Sequence, residues 1–204
     1  MRGDRGLVRL FAAVPVRGLG SSKSRLGPVL APGEREALVA RMLGGVISAL
    51  RESGCAEVCV VSPDPRALKL AGRAGARPLR QRGAGLNPAL EEARRQALKA
   101  GAQTLLALPA DLPLLGAGDV RELLAAGSAC AISPDATDSG TNALLLRPPD
   151  ALPFRFGPGS FRAHLEEAAA RGVELRVCRT PGLAFDLDTP ADLARLRGLK
   201  RAIS

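Results

Sequence analysis

The chain is expected to fold as an α/β protein with a mostly parallel central sheet and helices on both faces. Three observations predict this. Strand-like and helix-like segments alternate along nearly the whole length, the pattern that gives a parallel sheet covered on both sides. The strand-like runs are almost continuously apolar, as strands buried on two faces must be. At 204 residues, of which 46% are hydrophobic, the chain suffices for one domain with a sizeable core.

The elements follow in order. Residues 1–6 are polar and expected to be loose, and Leu7 to Val14 reads as the first buried strand. Pro32 to Ser53 carries Leu38, Val39, Met42, Leu43, Val46, Ile47 and Leu50 at helical spacing, with Gly54 as its stop. Glu57 to Ser62 is a Val-rich strand, Pro65 to Ala74 a second helix, and Ala76 to Leu79 a third strand. Gly83 to Pro88 is a turn that opens a helix over 88–100, with Asn87 a candidate N-cap. Leu105 onward is an apolar strand that runs into Asp111. A helix over about 117–126, strands Ala129 to Ser133 and Ala143 to Arg147, a helix over 160–171, a strand Val173 to Cys178 and a last helix opened by Thr189-Pro190 complete the chain. No internal repeat or low-complexity segment interrupts this order. The hairpin-like strand near 143–147 and the turn at 154–160 are expected to form one side of a cleft.

Composition narrows the function. The net charge is +9, which admits nucleic acid or another polyanion. However, Arg is scattered, aromatics are 2%, and Trp and Tyr are absent. Single-stranded nucleic-acid binding ordinarily needs aromatic platforms for the bases. A small phosphorylated substrate fits the charge as well. Cys55, Cys59, Cys130 and Cys178 form no CxxC pair and read as reduced core residues rather than a zinc site or disulfide framework. No apolar run of about 18 residues and no signal-peptide pattern is present, so a cytoplasmic protein is expected, with no membrane partner. The lone His164 reads as a helix-surface residue or a substrate neighbour rather than a metal ligand.

Four stretches carry chemistry. Leu108-Pro109-Ala110-Asp111-Leu112-Pro113 places a carboxylate beyond a strand's C-terminal end, where open α/β sheets bind ligands. Asp111 is therefore either a metal ligand or a turn cap. The loop Pro15 to Leu26 combines Gly18 and Gly20 with hydroxyls and the cations Arg17, Lys23 and Arg25, which suits a polyphosphate; a solvated basic loop is the bland alternative. It is not a Walker A loop, because Ser22 and Arg17 stand where glycines are required. It is not a dinucleotide fingerprint either, because Lys23 stands at the third glycine. Gly85-Leu86-Asn87 joins a strand end to a helix start, so the Asn87 amide is placed to face a nucleobase or ribose. Gly157-Pro158-Gly159-Ser160 is a Gly-rich turn with Ser at a helix start, a phosphate seat or simply a cap.

Taken together and in order, these stretches, with Gly140-Thr141-Asn142-Ala143-Leu144 and Asp186-Leu187-Asp188-Thr189-Pro190, resemble the CofC/FbiD family over about residues 8–197. That family comprises guanylyltransferases of coenzyme F-420 biosynthesis. The resemblance implies a Rossmann-like nucleotidyltransferase fold of the GT-A type. It implies a single nucleotidyltransferase domain over 1–204, with a GTP-binding core over about 8–135 and an acceptor-binding part over about 136–180. It implies condensation of GTP with a three-carbon phosphoacid and release of pyrophosphate. Phosphoenolpyruvate gives enolpyruvyl-2-diphospho-5'-guanosine; 2-phospho-L-lactate and 3-phospho-D-glycerate are the other family acceptors.

By motif, Asp111 and Asp188 match metal-binding aspartates for one or two Mg²⁺ ions, with Asp186 either sharing the metal or standing behind it. Lys23 and Arg25, with Arg17 and Gly18 in the same loop, match the segment that meets the GTP phosphates, and Gly85 and Asn87 match a further GTP-binding segment. Thr141, Gly157 and Ser160 match positions that hold the acceptor. Arg17 stands where relatives more often have Lys, and residues 136–139 lack an Arg that many relatives carry.

The chemistry expected is in-line attack of an acceptor phosphate oxygen on the α-phosphorus of GTP, with Asp111, Asp188 and Lys23 as the catalytic set. The product would pass to a deazaflavin transferase. Other readings are transfer to a sugar phosphate or molybdopterin on the same fold, a non-catalytic GTP-binding regulator, and a basic nucleic-acid-binding protein. The first loop lacks the Gly-rich run ending near Pro-Lys that the sugar-phosphate and molybdopterin enzymes usually carry.

Overall fold

A computed structural model of the chain describes residues 10–127 and 129–203. The expected loose segment 1–6 and the first three residues of the expected first strand, Leu7 to Arg9, lie outside the described residues.

Among the described residues, seven strands form one sheet: β1 (Leu10–Pro15), β2 (Glu57–Ser62), β3 (Arg77–Arg80), β4 (Thr104–Ala107), β5 (Cys130–Pro134), β6 (Thr141–Leu146) and β7 (Leu175–Val177), in the order β3-β2-β1-β4-β6-β5-β7. Six run in one direction. Only β6 is reversed, antiparallel to both β4 and β5. The order turns back between β1 and β4, and such a switch point opens a crevice at the strands' carboxyl ends. Reversal of β6 has a direct consequence. Ala107 pairs with Leu144, so the start of β6 at Thr141 comes to the same edge as the residues that follow β4.

The helices among the described residues are α1 (Pro32–Glu52), α2 (Pro65–Arg73), α3 (Leu86–Lys99), α4 (Ala117–Leu124), α5 (Ser160–Arg171), α6 (Pro181–Ala184) and α7 (Pro190–Ile203), with a 3-10 turn at Ser24–Leu26. Side-chain alternation along the strands divides the interior into two cores. Leu10, Ala12 and Val14 of β1 face α1, α2, α4 and α7; Phe11 and Ala13 face α3 and α5. Helices therefore cover both faces, as the apolar strand runs predict.

Local chemistry sets most boundaries. Pro32 and Pro65 open α1 and α2, and the Asp64 carboxylate caps α2 by accepting the Arg66 amide N–H at 2.8 Å. Gly54 follows α1 with φ +93°, a conformation costly for other residues. Two elements were not anticipated, the Ser24–Leu26 turn and α6. Strand β4 ends at Ala107, four residues before Asp111, because Pro109 has no amide hydrogen to continue a ladder. Helix α3 starts at Leu86 rather than 88, since Pro88 is tolerated in a first turn where amide hydrogens are unpaired anyway. All four cysteines are free thiols; burial pushes Cys55 up to about 11 and Cys59 up to about 12, so both stay protonated. No helix among the described residues is long and apolar enough to cross a membrane.

Candidate active site

The site begins with the loop after β1. Val16 extends the pairing by donating its amide N–H to the Val61 carbonyl at 2.8 Å. The loop then folds on itself: the Leu19 amide donates to Asp64 Oδ2 at 2.9 Å, and the Ser22 hydroxyl donates to the Gly18 carbonyl at 2.5 Å. A Cβ on Gly18 would sit 3.2 Å from Asp64 Oδ2, so the residue expected to meet GTP is required first for this close approach. The loop ends at Lys23, whose backbone is left-handed (φ 59°, ψ 39°). That conformation costs a non-glycine residue about 1–2 kcal/mol.

In this conformation the Lys23 side chain points inward. Its ammonium donates to Asp111 Oδ2 and to Asp188 Oδ1, both at 2.5 Å, and its side chain is only 7% exposed. Burial alone lowers a lysine's pKa. Here the charge and hydrogen bond of Asp111, with those of Asp188, outweigh it and hold the ammonium above its ordinary value. Asp111 and Asp188 meet because the Leu187 amide donates to the Asp111 carbonyl at 3.1 Å, stitching 185–189 to the segment after β4. The α7 entry is fixed by Asp192, whose Oδ2 accepts from the Asp188 amide (3.1 Å), the Thr189 amide (2.7 Å) and the Thr189 hydroxyl (2.8 Å).

Asp111 Oδ1 is buried with no hydrogen-bond partner. An orphaned carboxylate oxygen beside a second carboxylate fits a hard divalent cation such as Mg²⁺. Asp186 fits less well as a direct ligand. Among the described residues no three carboxylate, His or Cys side chains converge as a metal cluster. Burial pushes the Asp186 carboxyl up, the Asn142 amide donates to its Oδ1 at 3.4 Å, and the neighbouring charges of Asp111 and Asp188 push it up further. A set of two carboxylates suits Mg²⁺, which usually takes one or two from the protein and fills its octahedron with water and substrate phosphate.

The residues matched to the acceptor gather at the start of β6 and of α5, on the same sheet edge. The turn between β5 and β6 is tied by Asp135, whose carboxylate accepts from the Thr137, Ser139 and Gly140 amides and the Thr137 hydroxyl. It delivers Thr141, which is buried with its hydroxyl 3.1 Å from His164 Nδ1 on α5. Ser160 opens α5, also buried, after Gly157 (φ +142°) and Gly159 (φ +69°), both exposed. Gly157 and Ser160 are thus joined to Thr141 through the first turns of α5.

Several expectations need correction. Asn87 does not cap α3; Gly85 holds that position with φ +100°. Nor is the Asn87 amide free for GTP. Its Nδ2 donates to the Phe156 carbonyl and its Oδ1 accepts the Phe156 amide, each at 3.0 Å, clamping the 154–161 segment. His164 is fully buried rather than on the helix surface. Arg17 and Arg25 are exposed and form no ion pair among the described residues, whereas Gly85 lies exposed at the foot of α3. The sequence reading missed Asn142, whose Nδ2 also donates to the Leu183 carbonyl at 2.9 Å, and Asp192. The signals were present: an amide next to Thr141, and a Thr-Pro-x-Asp helix opening.

The fold is one that nucleotidyltransferases adopt. A nucleotidyl transferase from Methanothermobacter thermautotrophicus superposes with a TM-score of 0.70 at 18% identity, covering 96% of this chain and 99% of that one. A 4-diphosphocytidyl-2C-methyl-D-erythritol synthase from Anaerococcus prevotii gives 0.66 at 10% identity, covering 94% and 98%. Sequence comparison is more specific, and the chain belongs to the family described as "Guanylyl transferase CofC like", whose model matches residues 10–197. It is 59% identical over 190 residues to the phosphoenolpyruvate guanylyltransferase of Rubrobacter xylanophilus, covering 92% of this chain and 93% of that protein. It is 49% identical to the protein of the same name from Sphaerobacter thermophilus, covering 92% of each. A 2-phospho-L-lactate guanylyltransferase from Methanothermobacter thermautotrophicus is 37% identical, covering 93% and 84%.

Proposed function

We propose that this chain transfers the guanylyl group of GTP to phosphoenolpyruvate, giving enolpyruvyl-2-diphospho-5'-guanosine and pyrophosphate. The observation that carries the reaction class is the Lys23–Asp111–Asp188 cluster at the switch point, on the sheet edge where the reversed β6 begins at Thr141. Phosphoenolpyruvate is preferred because the relatives at 59% and 49% identity bear that name, whereas the 2-phospho-L-lactate enzyme stands at 37%.

In the reaction, a phosphate oxygen of phosphoenolpyruvate attacks the α-phosphorus. The new P–O bond forms as the bond from the α-phosphorus to the α–β bridging oxygen breaks, and its electron pair leaves on pyrophosphate. The nucleophile is already anionic, so no general base is required. The obstacle is repulsion between two polyanions. Lys23 supplies a buried, fixed positive charge, and the exposed Arg17 and Arg25 on the same loop offset triphosphate charge. Mg²⁺ held by Asp111 and Asp188 would supply Lewis-acid neutralisation of phosphate oxygens. Thr141, Gly157 and Ser160 hold the acceptor, and the labile product passes to a transferase acting on a deazaflavin.

The test is pyrophosphate release from GTP and Mg²⁺ with phosphoenolpyruvate, 2-phospho-L-lactate and 3-phospho-D-glycerate in parallel, with and without the downstream transferase and its deazaflavin. Release dependent on phosphoenolpyruvate is expected. Release with only another acceptor would move the assignment to that acceptor, and none in either set, with GTP bound, would point to a regulator. Asp111→Asn is expected to lower kcat about 100-fold or more while the protein stays folded; near-wild-type turnover would remove Asp111 from the catalytic set.

A further inference from the structure

The chain contains a single histidine, His164, and it is fully buried on α5 between two fixed partners. On one side its Nε2 meets the backbone N–H of Arg155 at 3.0 Å. A backbone amide only donates, so Nε2 must present a lone pair. In a neutral imidazole the proton then sits on Nδ1. Nδ1 is 3.1 Å from Thr141 Oγ1. Nδ1–H is therefore shared between the threonine oxygen and the Ser160 backbone, and because Nδ1 has no lone pair to accept, the hydroxyl's own hydrogen must point elsewhere.

The ring is held against change. Phe156 packs on it edge to face with centroids 5.0 Å apart. Burial pulls its pKa down to about 4; a hydrogen bond to the Ser160 backbone and the Glu167 charge raise it, and the Arg155 charge lowers it. Among the described residues Arg155 and Glu167 are the charged groups that shape its ionisation, and the ring is neutral at physiological pH.

An anionic ligand has only acceptor oxygens to offer. A hydroxyl can both give and accept, so a buried threonine is free to turn its hydrogen toward a protein acceptor and away from the ligand. We infer that His164 is a positioning residue: its Nδ1–H occupies a lone pair of Thr141 Oγ1 and commits the threonine hydroxyl to donate its hydrogen to the carboxylate or phosphate of the acceptor substrate. This rests on the reading that Thr141 meets the acceptor. His164 also links β6, the Arg155 backbone and α5, so the same side chain ties these three segments together.

The single ring makes the first test unambiguous. Protein labelled with ¹⁵N-histidine is expected to show one ring with protonated Nδ1 and unprotonated Nε2, unchanged from pH 8 to about 5.5. An Nε2–H tautomer, or titration near the ordinary histidine value, overturns the inference. The second test is a double-mutant cycle read as phosphoenolpyruvate affinity, with GTP affinity measured separately by calorimetry. His164→Leu is expected to weaken phosphoenolpyruvate about tenfold or more, leave GTP within about twofold, and have no further effect in a Thr141→Val background. His164→Asn, which carries an N–H near the Nδ1 position, should recover part of the loss and keeps the test open if the leucine variant does not fold. Equal losses with and without the Thr141 hydroxyl would make His164 a scaffold residue only. If Thr141→Val weakens binding and neither His164 variant does, the orienting role fails while the site reading stands. If Thr141→Val leaves affinity unchanged, the acceptor assignment of Thr141 fails, and the orienting role with it.

Discussion

At the scale of single residues, the site joins one buried ammonium to two partly exposed carboxylates. Lys23 lies between Asp111 and Asp188, so its backbone strain is offset by two charge-assisted hydrogen bonds in a buried setting. His164 shows the opposite balance, a group kept neutral by burial. Its folded pKa is about 4, below the ordinary 6.5. Between those values the unfolded chain binds the extra proton, so stability rises with pH there. The contribution is complete above about pH 6.5 and fades as pH falls toward 4, amounting to about 3 kcal/mol. Urea unfolding of the wild type should therefore lose about 3 kcal/mol more than His164→Asn between pH 7 and pH 4. Equal pH dependence in both would mean that the ring is not held neutral in the fold.

At the scale of elements, α3 and the 154–161 segment behave as one unit. Asn87 bonds both polar groups of Phe156, and Arg94 on the same helix donates to the Leu152 carbonyl at 2.8 Å and stacks over Phe154 at 3.9 Å. The segment that presents Gly157 is therefore held by α3 as well as by its own turn, in which the Ser160 amide donates to the Gly157 carbonyl at 3.1 Å. Asn87→Ala is expected to cost about 1–2 kcal/mol of stability. It should raise KM for phosphoenolpyruvate severalfold, with GTP affinity nearly unchanged. Weakened GTP binding with an unaltered acceptor KM would return Asn87 to the nucleotide. Reversal of β6 works at the same scale. A short tied turn suffices to join antiparallel strands, whereas a parallel strand would need a crossover and would carry Thr141 to the opposite edge.

At the scale of the molecule, one sheet separates two cores and joins both to the crevice. In β4, Leu106 packs on the α1 side and Leu105 on the α3 side, and both are essentially buried. Leu106→Ala should destabilise the protein by about 2–5 kcal/mol. Far-UV circular dichroism in urea should still show one transition, because β4 is hydrogen-bonded to β1 on one side and β6 on the other and so ties the two halves of the sheet together. Two separated transitions would show that the two faces unfold independently.

The sequence by itself determined the α/β class, nearly every strand and helix, and the family. These are carried by local patterns: apolar runs such as Leu10 to Val14, helical spacing from Leu38 to Leu50, prolines at helix starts, and ordered motifs around Lys23, Asp111 and Asp188. Only the tertiary structure decided what those side chains touch. His164 is a polar letter within a mixed helical pattern, and its burial depends on β6 and the Arg155 backbone brought from elsewhere in the chain. Asn87 reads as a cap or a ligand for a nucleotide until Phe156, 69 residues away, takes both ends of its amide. Lys23 and Asp188 are 165 residues apart, and nothing local specifies the ion pair between them. Secondary structure is set by neighbours a few positions away, but hydrogen-bond partners at a site are chosen by which strand lies beside which.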